Sequence, residues 1–122
     1  MLAQSRLLAD VITEQGVVTT DGLAAALRVT KTELALATGL SRDAVSKRGR
    51  VGARSTQARL RETVEIINHV APWAGSVVAA FAWYRSQPLP SFGDKTAEDL
   101  VKEGRAQAVK DYLSRIAEGG YA

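Results

Sequence analysis

TELALATGLSRDAVSK, residues 32–47, decides how this chain is read. Two short helical stretches meet there around a glycine. Thr32 is placed to cap a helix from Glu33 to Thr38, Gly39 to stop it, and Ser41 to cap a second from Arg42 to Lys47. Helices that cross this tightly need a small residue at the contact, a residue tolerant of positive φ in the turn, and an apolar anchor on the second helix. Ala35, Gly39 and Val45 meet those needs, with Leu34, Leu36 and Leu40 as apolar contacts around them. The spacing predicts a helix-turn-helix, whose second helix is built to enter a major groove. Its outward residues are Arg42, Asp43, Ser46 and Lys47, with Arg48, Arg50 and Arg54 behind them. Arg42 is the candidate for a base contact, because a guanidinium spans two acceptors of guanine. Lys47, Arg48, Arg50 and Arg54 are placed to neutralise phosphates, which positions without specifying.

The charge distribution points the same way. The net charge is +3. Residues 28–61 carry nine basic and two acidic side chains, a local +7, while residues 1–27, 62–93 and 94–122 are each mildly acidic. One segment is thus suited to a polyanion, and the rest to a different sort of partner. The plainer alternative is a solvated basic face on a helix pair that serves only dimer packing.

Outward from this centre the chain reads as helices with short connections. Leu7, Leu8, Val11 and Ile12 form a stripe at helical spacing that Gly16 closes, and Asp21 is a plausible cap for a short helix through Leu27. Leu60, Val64, Ile67 and Ala71 predict a longer helix from about Ser55 to Val70, which Pro72 ends unless it opens the next one. Gly75–Tyr84 is apolar on nearly every side and reads as a buried central helix. The loop Gln87-Pro-Leu-Pro-Ser-Phe-Gly-Asp follows, then a helix capped by Thr96 with Asp99, ending at Gly104. A last helix with Val109, Tyr112, Leu113 and Ile116 on one face stops at Gly119-Gly120. Only Val17–Thr20 hints at a strand. The expected fold is all-α, a helix-turn-helix region over residues 1–70 packed with a second helical half over 71–122.

Several function classes drop out. There is no cysteine, so neither a disulfide nor a thiolate metal site is expected. Charges at Arg6, Asp10 and Glu14 argue against a secretion signal, and Val77–Tyr84 is too short to cross a bilayer. The expectation is a cytoplasmic protein without a membrane partner. His69, the only histidine, has no cysteine or clear carboxylate partner, and Glu98 with Asp99 suits the dipole of a helix's first turn. Gly49-Arg-Val-Gly52 is too short to cradle a phosphate as a dedicated loop. No catalytic residue, metal ligand or cofactor is expected, and the chain reads as no enzyme.

The segment WYRSQPLPSFGDKTAEDLVKEGRAQAVKDYLSRIAEGGYA, residues 83–122, resembles the toxin-binding domain of the Xre/MbcA/ParS antitoxin family. Its resemblance rests on Trp83, Pro88, Pro90, Gly93, Thr96, Leu100, Gly104, Val109, Leu113, Arg115, Ile116, Gly119 and Tyr121 in that order. Taken with the upstream helix-turn-helix, it extends back to about residue 20. Two departures are Ala97, where the family usually has proline, and Asp94, where a second glycine is common. Both bear on the geometry of the loop and its cap.

The resemblance implies a partner, a RES-domain toxin that consumes NAD⁺ or uses it to modify a protein, and an antitoxin that covers its active-site entrance. It also implies repression of the chain's own operon through operator DNA. The candidate toxin-binding residues are Trp83, Tyr84, Arg115, Gly119, Gly120, Tyr121 and Ala122. Of the two adjacent aromatics, at least one is expected in the core. Arg85 and Arg115 are placed to pair with acidic toxin groups, against the plainer reading of solvated charges. After Gly119-Gly120, Tyr121 and Ala122 would form a short tip suited to a cleft that receives an anionic dinucleotide. A homodimer is expected, through the N-terminal helix or the Gly75–Tyr84 helix. The alternatives are a stand-alone helix-turn-helix regulator and an adaptor that never touches DNA.

Overall fold

The structure, a computed structural model, describes residues 11–119. Among the described residues there are eight α-helices and no strand. They are α1 (Thr20–Leu27), α2 (Lys31–Thr38), α3 (Arg42–Ser46), α4 (Arg48–Val51), α5 (Arg54–Ala74), α6 (Val77–Ser86), α7 (Ala97–Lys102) and α8 (Ala106–Gly119). A 3₁₀ turn, Pro90–Phe92, lies between α6 and α7. The all-α expectation holds.

Two helix starts differ from the sequence reading. Thr19, not Asp21, caps α1, its hydroxyl accepting from the Gly22 N–H at 3.2 Å. Asp21 sits in the first turn and pairs with Lys31 at 2.6 Å. Helix α2 begins two residues early because Thr30 and Glu33 form a capping box. The Glu33 carboxylate accepts from the Thr30 N–H at 2.9 Å, and the Thr30 hydroxyl from the Glu33 N–H at 3.0 Å. That arrangement satisfies two orphan donors, where Thr32 alone would satisfy one. It also holds the Glu33 carboxyl below its ordinary pKa, chiefly through the Thr30 backbone donor.

The expected stripe of Leu7 and Leu8 lies outside the described residues. Val11 is buried, but Ile12 pairs with Val18 in an isolated antiparallel bridge. Gly16 therefore turns a hairpin instead of closing a helix, its N–H donating to the Thr13 carbonyl at 2.9 Å. Gln57 of α5 fastens this hairpin. Its carbonyl accepts from the Val18 N–H at 2.7 Å, and its amide donates to the carbonyls of Val18 and Val51 at 3.0 and 2.8 Å.

Helix α5 organises the rest. Leu60, Val64, Ile67 and Ala71 are buried as the periodicity demands, joined by Ile66 and Val70. It runs past Val70 because Pro72 lies in the last turn with its ring exposed, so only one helical hydrogen bond is forgone. Gly75, at φ +100°, ends it. The chain then bends by 110° into α6. Helix α6 is not buried all round. Ala80, Phe81 and Tyr84 face inward, whereas Val78 and Ala82 face out, because α5 and α7 cover only one side. A single cluster of buried residues runs from Val11 and Leu23 through Leu60 and Tyr84 to Leu113. No single described helix is long and apolar enough to cross a membrane.

The proline loop keeps its shape through Leu89, whose backbone pairs with Lys95 and whose side chain is buried. Gly93 and Asp94 both adopt positive φ there, +67° and +66°. Asp94, the departure from the family pattern, thus occupies a conformation that a glycine holds without steric cost. Thr96 and Asp99 form the expected capping box of α7.

Candidate functional site

The expected helix-turn-helix falls on α2, the turn at Gly39 and α3. Ala35 and Val45 are buried at the crossing, and Ser41 caps α3 by accepting from the Ala44 N–H at 3.0 Å. Leu34 is buried and Leu40 partly so, but Leu36, expected among the apolar contacts, is 58% exposed. It stands on the opposite side of α2 from Leu34 and Ala37. Gly39 is required twice over. Its φ is +76°, and an added Cβ would come within 3.0 Å of the Lys102 side chain and 3.1 Å of the Arg59 guanidinium.

The turn is held by two later helices. Arg59 of α5 donates to the Thr38 carbonyl at 2.7 Å, and the Tyr84 hydroxyl of α6 donates to the Ala37 carbonyl at 2.7 Å. Helix C-termini leave carbonyls without partners, and these two donors satisfy them. Burial pushes the Tyr84 phenol well above its usual range, so it remains a donor.

Every predicted DNA-facing residue is exposed: Arg42, Asp43, Ser46, Lys47, Arg48, Arg50 and Arg54. They follow one another along α3, α4 and the first turn of α5. Lys47 adopts extended backbone, which separates α3 from α4 and ends α3 one residue short of the expected helix. Asp43 approaches Lys47 at 3.7 Å. Among the described residues Arg42, Arg48, Arg50 and Arg54 make no ion pair. Gly49 and Gly52 belong to the α4 turn. Gly52, with Arg48 and Val51, lines an open cleft of ≈ 380 Å³ that Thr19 and Asp21 also line.

The second candidate surface is of another kind. Trp73 is 49% exposed and Val78 39% exposed on the α5–α6 corner, with the His69 ring 5.7 Å from Trp73 in an edge contact. Trp83 is half-buried. Tyr84 is fully buried, which corrects its place among the toxin-contacting candidates and makes it the core member of the aromatic pair. Arg115 is exposed on α8, which ends at Gly119. Gly120, Tyr121 and Ala122 lie outside the described residues.

Arg85 is not a solvated charge. Its Nε donates to Glu98 Oε1 at 2.7 Å and its Nη2 to Oε2 at 3.3 Å, while Lys102 reaches the same carboxylate at 3.3 Å. The hydrogen bond to Glu98 raises the Arg85 pKa further. Glu98 is buried between the two cations, so it joins α6 to α7 beyond any effect on a helix dipole. Adjacent acidic residues at a helix start gave the sequence no sign of this, because Arg85 lies thirteen residues upstream.

Trp73 is the residue that sequence reasoning missed. It follows Pro72 at a presumed helix end, and periodicity alone assigns no exposure to such a position.

Comparison with known proteins bears on this half. Residues 70–119 match the family described as the antitoxin Xre/MbcA/ParS C-terminal toxin-binding domain. No curated protein and no solved structure matches the chain. The match opens at Val70, just before the exposed Trp73, and closes at the end of α8, so it takes in the α5–α6 corner, the proline loop and the Arg85–Glu98 joint. Over residues 70–119 the chain is thus similar to the C-terminal toxin-binding domain of the Xre/MbcA/ParS antitoxins.

Proposed function

We propose that the chain neutralises a RES-domain toxin that acts on NAD⁺ and represses its own operon by binding operator DNA. The observation that carries the DNA half is the row of exposed cations on α3, α4 and the start of α5, set beside a turn locked by Arg59 and Tyr84. A fixed turn gives α3 a defined entry into a groove, and the flanking arginines supply phosphate contacts. Two copies would meet half-sites one helical turn apart, so a homodimer is part of the proposal. The division of labour falls near residue 70, with DNA and dimer contacts before it and the toxin after it.

On the toxin side, Trp73, Val78 and Trp83 provide the apolar anchors, since large aromatic side chains dominate binding energy where they become buried. The residues after α8 supply the cover for the active-site entrance. Glycines at 119 and 120 disfavour helix there, and an aromatic side chain at Tyr121 suits a cleft that receives a dinucleotide. A chain lacking residues 119–122 is expected to bind the toxin yet leave its NAD⁺-consuming activity intact. Full neutralisation by that truncated chain would refute the cover.

Operator binding is tested on the purified protein with its own promoter. The affinity should fall steeply with salt, and Lys47→Ala or Arg54→Ala should each flatten the slope by about one unit. No salt-dependent shift, with or without toxin, would refute DNA binding.

A further inference from the structure

We infer that a groove between α2 and α7 is a second docking site for the toxin, reaching past the toxin-binding domain onto the helix-turn-helix. The groove has a volume of ≈ 290 Å³ and is lined by Leu36, Gly39 and Leu40 on its apolar side, with Arg42 and Lys102 at its rims. Leu36 is the most exposed large hydrophobic residue described, at 58%. An isolated surface leucine needs no explanation, but one that lines a concave site together with two cations does.

The chemistry of the walls selects the occupant. An apolar lining offers nothing to a phosphate ribbon, so DNA would satisfy only the rims. A protein segment that presents an aliphatic or aromatic side chain flanked by carboxylates satisfies both. Charge complementarity of this sort favours encounter and fixes register. Continuity selects the partner. Lys102 belongs to α7, inside the matched toxin-binding domain, and its side chain lies directly over Gly39 of the turn. A toxin seated on residues 70–119 therefore has a path along α7 into the groove.

Occupancy would have a consequence for Arg42. The same guanidinium rims the groove and begins the helix that faces DNA. A carboxylate in the groove draws it away from base edges, so toxin binding lowers base discrimination while leaving the phosphate contacts of α4 and α5 in place.

This inference rests on the proposed antitoxin reading, and one experiment separates their failures. The affinity of the cognate toxin, purified separately, is measured by calorimetry against the full chain and its Leu36→Ser and Arg42→Glu variants. Leu36 is exposed and Ser adds no charge, so folding should be preserved, as circular dichroism would verify. Loss of the anchor should weaken toxin binding about tenfold or more, and reversal of the rim charge should weaken it as well. Operator binding by Leu36→Ser without toxin should be unchanged. Toxin that binds both variants as tightly as the parent overturns the groove and leaves the antitoxin reading standing. Toxin that does not bind the parent chain overturns both. Operator binding that weakens in Leu36→Ser while toxin binding holds would assign the groove to DNA and overturn the inference.

Discussion

Residues 42–54 and residues 66–84 lie on either side of α5's first turns and use opposite surface chemistry. The first stretch carries five cations and one carboxylate, all exposed, along helices of five and four residues, the Lys47 link between them and the start of α5. The second carries no Asp, Glu, Lys or Arg, and it exposes Trp73 and Val78. Short helices with few buried side chains cannot hold themselves in place, so Gln57 fastens the first stretch at Val51 while Arg59 and Tyr84 fix the turn that leads into it. The second stretch makes the core and has apolar surface left over. A cationic surface is worth most against a polyanion and loses its affinity as salt rises. An apolar surface is worth most against another protein and is nearly indifferent to salt.

The largest expected effect tests whether the two regions are joined. Tyr84→Ala removes a fully buried ring together with its hydrogen bond to Ala37, and should cost about 4 kcal/mol in denaturant unfolding. DNA and toxin affinities should fall together, because this side chain fastens α6 to the turn. If only one falls, the regions are separable. Glu98→Gln should cost about 2 kcal/mol, less than a fully buried pair would lose because Arg85 remains 35% exposed. Its signature should be confined to the α6–α7 side, with operator binding held when measured well below the unfolding midpoint.

Trp73→Ala sharpens the contrast. Toxin affinity should drop about tenfold or more, whereas stability should change by less than about 0.5 kcal/mol, since half of the ring is in water. The smallest effect concerns the loop. Asp94→Gly should raise stability by about 0.5–1 kcal/mol by relieving a positive φ, visible as a modest rise in Tm. A fall in Tm would mean that the aspartate side chain supports the turn.

Much of this architecture was legible in the chain. The Ala35–Gly39–Val45 spacing gave two short helices and the turn between them, and the Leu60–Ala71 period gave the buried face of α5. The cation row was legible too, because exposure of arginines on short helices needs no tertiary information. What failed were boundaries and exposures that distant partners decide. Thr30 outcompeted Thr32 as a cap through Glu33. Ile12 found Val18 across a turn. Pro72 was accommodated because its ring met only solvent. The depth of Tyr84 and the pairing of Arg85 with Glu98 depend on where α7 folds back, and no local pattern encodes that. Trp73 and Leu36 were missed for the same reason: a periodic pattern identifies the face that is buried, not which apolar residue the partner helices leave uncovered.

The central claim is that one chain keeps two binding surfaces governed by different physics, and salt titration of both events on the same preparation tests it most directly. Operator affinity should decline with a log–log slope of about −0.9 for each phosphate neutralised, a slope of several units in all. Toxin affinity over the same range should change far less. Equal slopes for the two partners, or an operator affinity unmoved by salt, would contradict the account.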